Sequence, residues 1–196
     1  MWNDRYAEEE FAYGKEPNDF VREVAGSLPA GGRILCIAEG QGRNAVFLAE
    51  RGFDVTAMDL SDVGMKCARE FAAERGVSIE TIVADLDGYE LGEEQWDGVV
   101  AIFAHMPPPL RAAVHAGIVR ALKPGGAVVL EAYTPEQLNH RTGGPPVIDL
   151  LMRPETLKAE FDGLDFELLR DGERHVSEGK YHEGTSHTVQ LLGRKP

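Results

Sequence analysis

The chain has 196 residues, 43% of them apolar and 27% charged, with 20 Lys and Arg against 33 Asp and Glu for a net charge of −13. That length is enough to bury a full core without disulfide staples, and the composition excludes a disordered or collagen-like chain. The charge argues against a nucleic-acid partner, because no Lys or Arg cluster offers the basic footprint that displaces counterions. The longest apolar runs, such as Val99 to Ala104, fall far short of the roughly 18 residues a membrane helix needs. Met1-Trp2-Asn3-Asp4-Arg5 leads into no apolar stretch, so no secretion signal is read and a cytoplasmic location is expected. Cys36 and Cys67 lie in apolar surroundings and read as buried, reduced thiols. With no Cys/His ladder beside them, no metal site is expected.

In chain order, Trp2 to Phe20 carries Tyr6, Phe11, Tyr13 and Phe20. It reads either as a lid over a ligand site or as an aromatic helix packed on a sheet edge. We assign 1–30 to this segment and 31–196 to the core of one domain. From residue 33 onward, short apolar runs alternate with longer amphipathic ones. Arg33–Ile37, Phe53–Met58, Ser78–Ala84, Asp97–Phe103 and Ala127–Tyr133 are predicted strands. Between them, Asn44–Arg51 is a predicted helix stopped by Gly52. Ser61 caps a second, with Cys67, Ala68, Phe71 and Ala72 on one face and Gly76 at its end. Leu110–Leu122 repeats apolar residues at helical spacing and closes with Lys123-Pro124-Gly125-Gly126. This alternation predicts an α/β fold, an open doubly wound sheet, mostly parallel, with helices on both faces. After a short helix near Pro154, Asp165–Arg170 and Thr188–Arg194 follow without a helix between them and should pair antiparallel. The 17 residues from Asp171 to His187, rich in Gly, His and charge, are predicted to be a loop.

The turn after the first strand reads Ala38-Glu39-Gly40-Gln41-Gly42-Arg43-Asn44-Ala45. Gly40, Gly42 and Ala45 fit G-x-G-x-x-A, and Asp59 closes the second strand 19 residues after Gly40. Both features suit a nucleotide site, although a plain strand-to-helix turn also needs glycine. Asp59 is placed to accept the hydroxyls of a ribose. Asp85, after the third strand, suits an exocyclic adenine amine, and Leu86 suits the face of the base. Charge then separates two cofactors. A pyrophosphate brings negative charge to a helix N-terminus, where Glu39 would repel it. S-adenosylmethionine has no phosphate and carries a positive sulfur.

ILCIAEGQGRNAVFLAERG, VTAMDLS, IVADL, WDGVVAIFAHMPP and LKPGGAVVLEAY, in this order, resemble the successive motifs of the seven-stranded, class I S-adenosylmethionine-dependent methyltransferases. The stretch covers nearly all of Arg33 to Tyr133. The chain is most similar to the bacterial group that includes the tellurite-resistance and thiopurine methyltransferases. That closer likeness is carried by GRNA, Trp2 with Arg5-Tyr6, Tyr13-Gly14 with Pro17-Asn18, and the Glu173-to-Gly179 run. The resemblance implies the strand order 3-2-1-4-5-7-6 with the last strand antiparallel, and S-adenosyl-L-methionine as cofactor. It implies cofactor contacts at Tyr13, Ala38, Glu39, Gly40, Gly42, Asn44, Asp59, Leu60, Asp85, Leu86 and Phe103. Cys36 stands where the family often has Asp, and Ala38 where it has the first glycine of the turn.

For catalysis, His105 after the fourth strand is read either as orienting or deprotonating an acceptor, or as a histidine bonded beneath the next helix. Arg141 to Pro146 is read as a shaped cover or a plain surface connection. Arg174 and His182 either bring positive charge over the pocket or lie in a solvated charged hairpin. The expected function is methyl transfer to a small soluble acceptor, a thiol or chalcogen nucleophile, by a monomer or homodimer with no nucleic-acid or membrane partner. The alternatives are an NAD-dependent oxidoreductase and a non-catalytic S-adenosylmethionine-binding protein.

Overall fold

The computed structural model describes residues 2–7 and 11–196. Helices α1 (Trp2–Tyr6) and α2 (Asp19–Val24) precede a sheet built of β1 (Arg33–Ile37), β2 (Asp54–Asp59), β3 (Glu80–Val83), β4 (Trp96–Ile102), β5 (Leu122–Tyr133), β6 (Asp165–Ser177) and β7 (Glu183–Arg194). Helices α3 (Arg43–Glu50), α4 (Asp62–Glu74), α5 (Pro108–Ala121) and α6 (Pro154–Glu160) lie between them. The strand order is 3-2-1-4-5-7-6, as the resemblance implies. β1 to β5 run parallel, and β7 pairs antiparallel with both β5 and β6.

Alternation along β1 builds both faces of the core. Leu35 and Ile37 join Val114 and Ile118 of α5, Leu157 of α6 and Phe161 just after it, while Ile34 and Cys36 join Phe20, Val21, Leu48 and Met65 of α2, α3 and α4. A strand covered on both faces reads as a continuous apolar run, which is why RILCI is legible as a central strand. Ser61 caps α4 by accepting from the Gly64 N–H at 3.0 Å. The helix predicted from Leu110 starts at Pro108, since proline is at home in a first helical turn. Cys36 is buried as expected, whereas Cys67 is only half-buried.

The tail departs from the expected loop. β6 and β7 continue through most of 171–187 and pair from Asp165↔Arg194 to Ser177↔Glu183, leaving 178–182 as the connection. The outer face of β6 is exposed, so the charged residues there are those of a solvated sheet edge, and no apolar alternation marks its 171–177 half as a strand.

Candidate active site

The chain leaves β1 through a turn in which Ala38, Gly40 and Gly42 have φ of +50°, +64° and +91°. A Cβ on Gly42 would meet the Ala68 Cβ at 2.7 Å, and one on Gly40 would meet the Tyr6 hydroxyl at 2.8 Å. Glycine thus lets α4 and α1 close on the turn. Ala38 holds the same left-handed conformation with a side chain, at a cost of about 1–2 kcal/mol.

Glu39 turns inward, and its Oε1 accepts the N–H groups of Asn44 and Ala45, each at 2.8 Å. The protein's own carboxylate therefore occupies the N-terminus of α3. Burial pushes the Glu39 pKa up to about 7, against the opposing pull of those donors and of Arg43. Asp59 accepts from the Gly40 N–H at 2.9 Å and the Ser61 N–H at 2.8 Å, and burial raises its pKa too. Asp85 is exposed just beyond β3 and accepts the Asp87 N–H at 2.9 Å. Both acids stand at the carboxyl edge of the sheet, where α/β folds bind ligands.

These groups open onto a cavity of about 690 Å3. Tyr13, Ala38, Glu39, Asn44, Asp59, Leu60, Asp85, Leu86, Phe103, His105 and His182 line it; Gly40, Gly42 and Arg174 do not. Sequence reasoning passed over Gln41, Arg43 and Tyr133 as site residues. The first two lie inside the glycine turn, where the pattern points to Ala38, Glu39, the glycines and Asn44 instead. Trp2, Arg5 and Tyr6 close one side. Arg5 donates to the Tyr13 hydroxyl at 2.8 Å and lies over the rings of Trp2 and Tyr181.

At the other end Phe103, with φ +54°, stacks on Tyr133 at 4.5 Å, and Tyr133 stacks on His105 at 5.7 Å. His182 meets the edges of Phe103 and Tyr133. His105 donates from Nδ1 to the Leu150 carbonyl at 2.8 Å and accepts the Tyr133 N–H on Nε2 at 3.3 Å. Both ring nitrogens of His105 are thus engaged, with partners at Leu150 and the end of β5 and none in the following helix, and burial lowers its pKa to about 4. Burial, with Arg43 nearby, lowers that of His182 to about 3. His182 thus faces the cavity with burial favouring the neutral form of its ring.

Arg174 has a different task. Its guanidinium bonds Glu131 at 2.6 and 2.9 Å and Glu178 at 2.7 Å, while Arg43 Nη2 lies 2.6 Å from Glu178 Oε2. Asn18 donates to Glu131 at 2.6 Å and to Glu178 at 3.0 Å, and Asn44 accepts the Asn18 N–H. The short runs GRNA, Pro17-Asn18 and Glu173-to-Gly179 therefore meet in one buried network beneath the hairpin. Gly179 completes it, because a Cβ there would lie 2.4 Å from the Gly14 nitrogen. Among the described residues no group of three or more His, Cys, Asp or Glu is arranged to hold a metal, and no helix is long and apolar enough to cross a membrane.

Residues 34–126 match the family model described as a methyltransferase domain. A 2-heptyl-1-hydroxyquinolin-4(1H)-one methyltransferase from Mycobacteroides abscessus is 29% identical over 121 residues, 60% of this chain and 51% of that protein. The chain spans about half the length of the curated relatives it matches. Among solved structures, one described for conversion of a disulfide bond into a thioacetal group during echinomycin biosynthesis aligns with TM-score 0.77 and 22% identity, over 98% of this chain and 88% of that one. TehB from Haemophilus influenzae aligns with TM-score 0.71 and 19% identity, over 91% of this chain and 62% of that one.

Proposed function

We propose, from the match of residues 34–126 to a methyltransferase domain and from the 3-2-1-4-5-7-6 sheet, that the chain transfers a methyl group from S-adenosylmethionine to a small soluble acceptor through a soft nucleophilic atom, a thiol or a chalcogen. The observation that carries the cofactor half is Glu39 on the α3 N-terminus. A dinucleotide needs those N–H groups for its pyrophosphate, and here a buried carboxylate already uses them. A sulfonium nucleoside makes no such demand, and its cationic end is favoured beside Glu39. Asp59 and Asp85 are the acceptors for ribose hydroxyls and an adenine amine, with Leu60 and Leu86 against the base.

The cofactor, when bound, supplies a methyl group on a positive sulfur that is already a good leaving group. What remains for the protein is to position the acceptor and exclude water. Trp2, Arg5, Tyr6 and Tyr13 on one side and Gly143 to Pro146 on the other serve as covers. The acceptor end supports a nucleophile that arrives ready to react. Both nitrogens of His105 are engaged, His182 is a weak base, and Tyr13 and Tyr133 hold their protons more tightly than usual because they are buried. A thiolate, selenide or similar soft anion needs no proton removed.

The test is a product assay with methyl-labelled cofactor and a panel of thiols, selenite, tellurite, halides, phenols and amines. Label appearing in thioether or organochalcogen products supports the reading. Label only in ether or amine products would refute the acceptor class, and binding without any turnover would favour a non-catalytic role.

A further inference from the structure

Residues 143–150 form one wall of the acceptor end, through Gly143, Gly144, Pro145, Pro146 and Leu150. Little of this stretch is regular structure, yet it is anchored. Gly144 lies against the Tyr133 ring so closely that a Cβ there would meet it at 2.7 Å. Two side chains from the β4–α5 region hook consecutive carbonyls at its far end. Arg111 Nη1 donates to the Asp149 carbonyl at 3.1 Å, and His105 Nδ1 donates to the Leu150 carbonyl at 2.8 Å. Arg111 is itself fixed by Glu160, which accepts its Nε and Nη2 and also bonds His115. His105 reaches in the opposite direction too, since its Nε2 accepts the N–H of Tyr133 at the end of β5.

We infer that His105 is a positioning residue that sets the acceptor wall, joining the 143–150 segment to the end of β5 and to the Phe103–Tyr133 stack, with Arg111 as the second anchor. The inference rests on the cavity being the site of methyl transfer. Its geometry demands one tautomer, Nδ1–H with a bare Nε2, because a proton on Nε2 would face the Tyr133 N–H donor to donor. A residue used in this way governs which acceptor fits and leaves the cofactor end alone.

Three variants separate the two bonds. In His105→Asn the amide nitrogen stands near the position of Nδ1 and keeps the Leu150 bond. In His105→Gln the amide oxygen stands near Nε2 and keeps only the Tyr133 bond. His105→Ala keeps neither. Hydrogen exchange should quicken about tenfold at the amides of Leu150, Leu151 and Met152 in the Ala and Gln variants, with protection restored in Asn and β1 and β2 unchanged throughout. Nitrogen NMR of the parent should show the Nδ1–H tautomer between about pH 6 and pH 8. With thiophenol as acceptor, the Ala variant should raise the acceptor KM about tenfold and hold kcat and the S-adenosylhomocysteine Kd within about threefold. Unchanged exchange at 150–152, a quickening spread over the whole sheet, an Nε2–H tautomer, or a fall in kcat at constant KM would each overturn the inference. If the parent does not methylate thiophenol, the same KM comparison is made with the thiol or chalcogen that the product panel labels; label in none of them refutes the acceptor class, and the exchange and NMR results still decide the role of His105.

Discussion

Replacing Glu39 by glutamine keeps the shape of the side chain and an oxygen for the Asn44 and Ala45 N–H groups while removing a buried ionisable group. The folded-state pKa of Glu39 is raised from 4.5 to about 7 by burial. A carboxyl whose pKa rises on folding contributes stability that is fully present below the unfolded value and is lost as pH climbs through the folded one. At about 1.4 kcal/mol per pH unit between the two values, the loss is about 3 kcal/mol. Glutamine does not titrate. The stability of E39Q relative to the parent should therefore improve by about 3 kcal/mol between about pH 4.5 and pH 7.5. Urea unfolding at a series of pH values, followed by fluorescence of the buried Trp96, measures this difference. A difference that stays flat across the window would show that the Asn44 and Ala45 N–H groups and Arg43 fully offset the desolvation of Glu39, and the reasoning that burial dominates its ionisation would be refuted.

Asp59→Ala should weaken S-adenosylhomocysteine binding at least about tenfold and also cost about 3 kcal/mol of stability, because its two oxygens hold the Gly40 and Ser61 N–H groups; calorimetry and urea unfolding read the two effects separately. Ala38→Gly, at φ +50°, should raise stability by up to about 1 kcal/mol, and a clear loss in thermal unfolding would mean the left-handed turn is unstrained. Arg174→Ala strands Glu131, which is fully buried, and should cost about 3–5 kcal/mol. A variant that unfolds like its parent but turns over slowly would instead return Arg174 to the acceptor site.

The sheet was legible because each of its central strands is a short apolar run beside an amphipathic helix, and β/α alternation with right-handed crossovers leaves few topologies. That Glu39, Asp59 and Asp85 gather at one cavity was legible for a related reason, since each is local to a strand end. The antiparallel pairing of Asp165–Arg170 with Thr188–Arg194 was legible too, but its extension through 171–187 was not, because that half of β6 turns one face to solvent and pairs its inward charges across the sheet. Its partner was visible only as Glu131, a lone acid inside the apolar run AVVLEAY, and nothing local says that such a residue meets an arginine 43 positions away. The roles of His105 were hidden in the same way. Its neighbours Tyr133 and Leu150 lie 28 and 45 residues on, a distance that spacing rules do not cross.

The central claim is that the glycine turn receives a sulfonium nucleoside and not a dinucleotide. Titration calorimetry of the purified chain with S-adenosylhomocysteine, S-adenosylmethionine and NAD tests it most directly. The adenosyl compounds should bind with micromolar affinity, about −8 kcal/mol, and NAD should give no saturable heat. Saturable NAD binding with neither adenosyl compound bound would contradict the account.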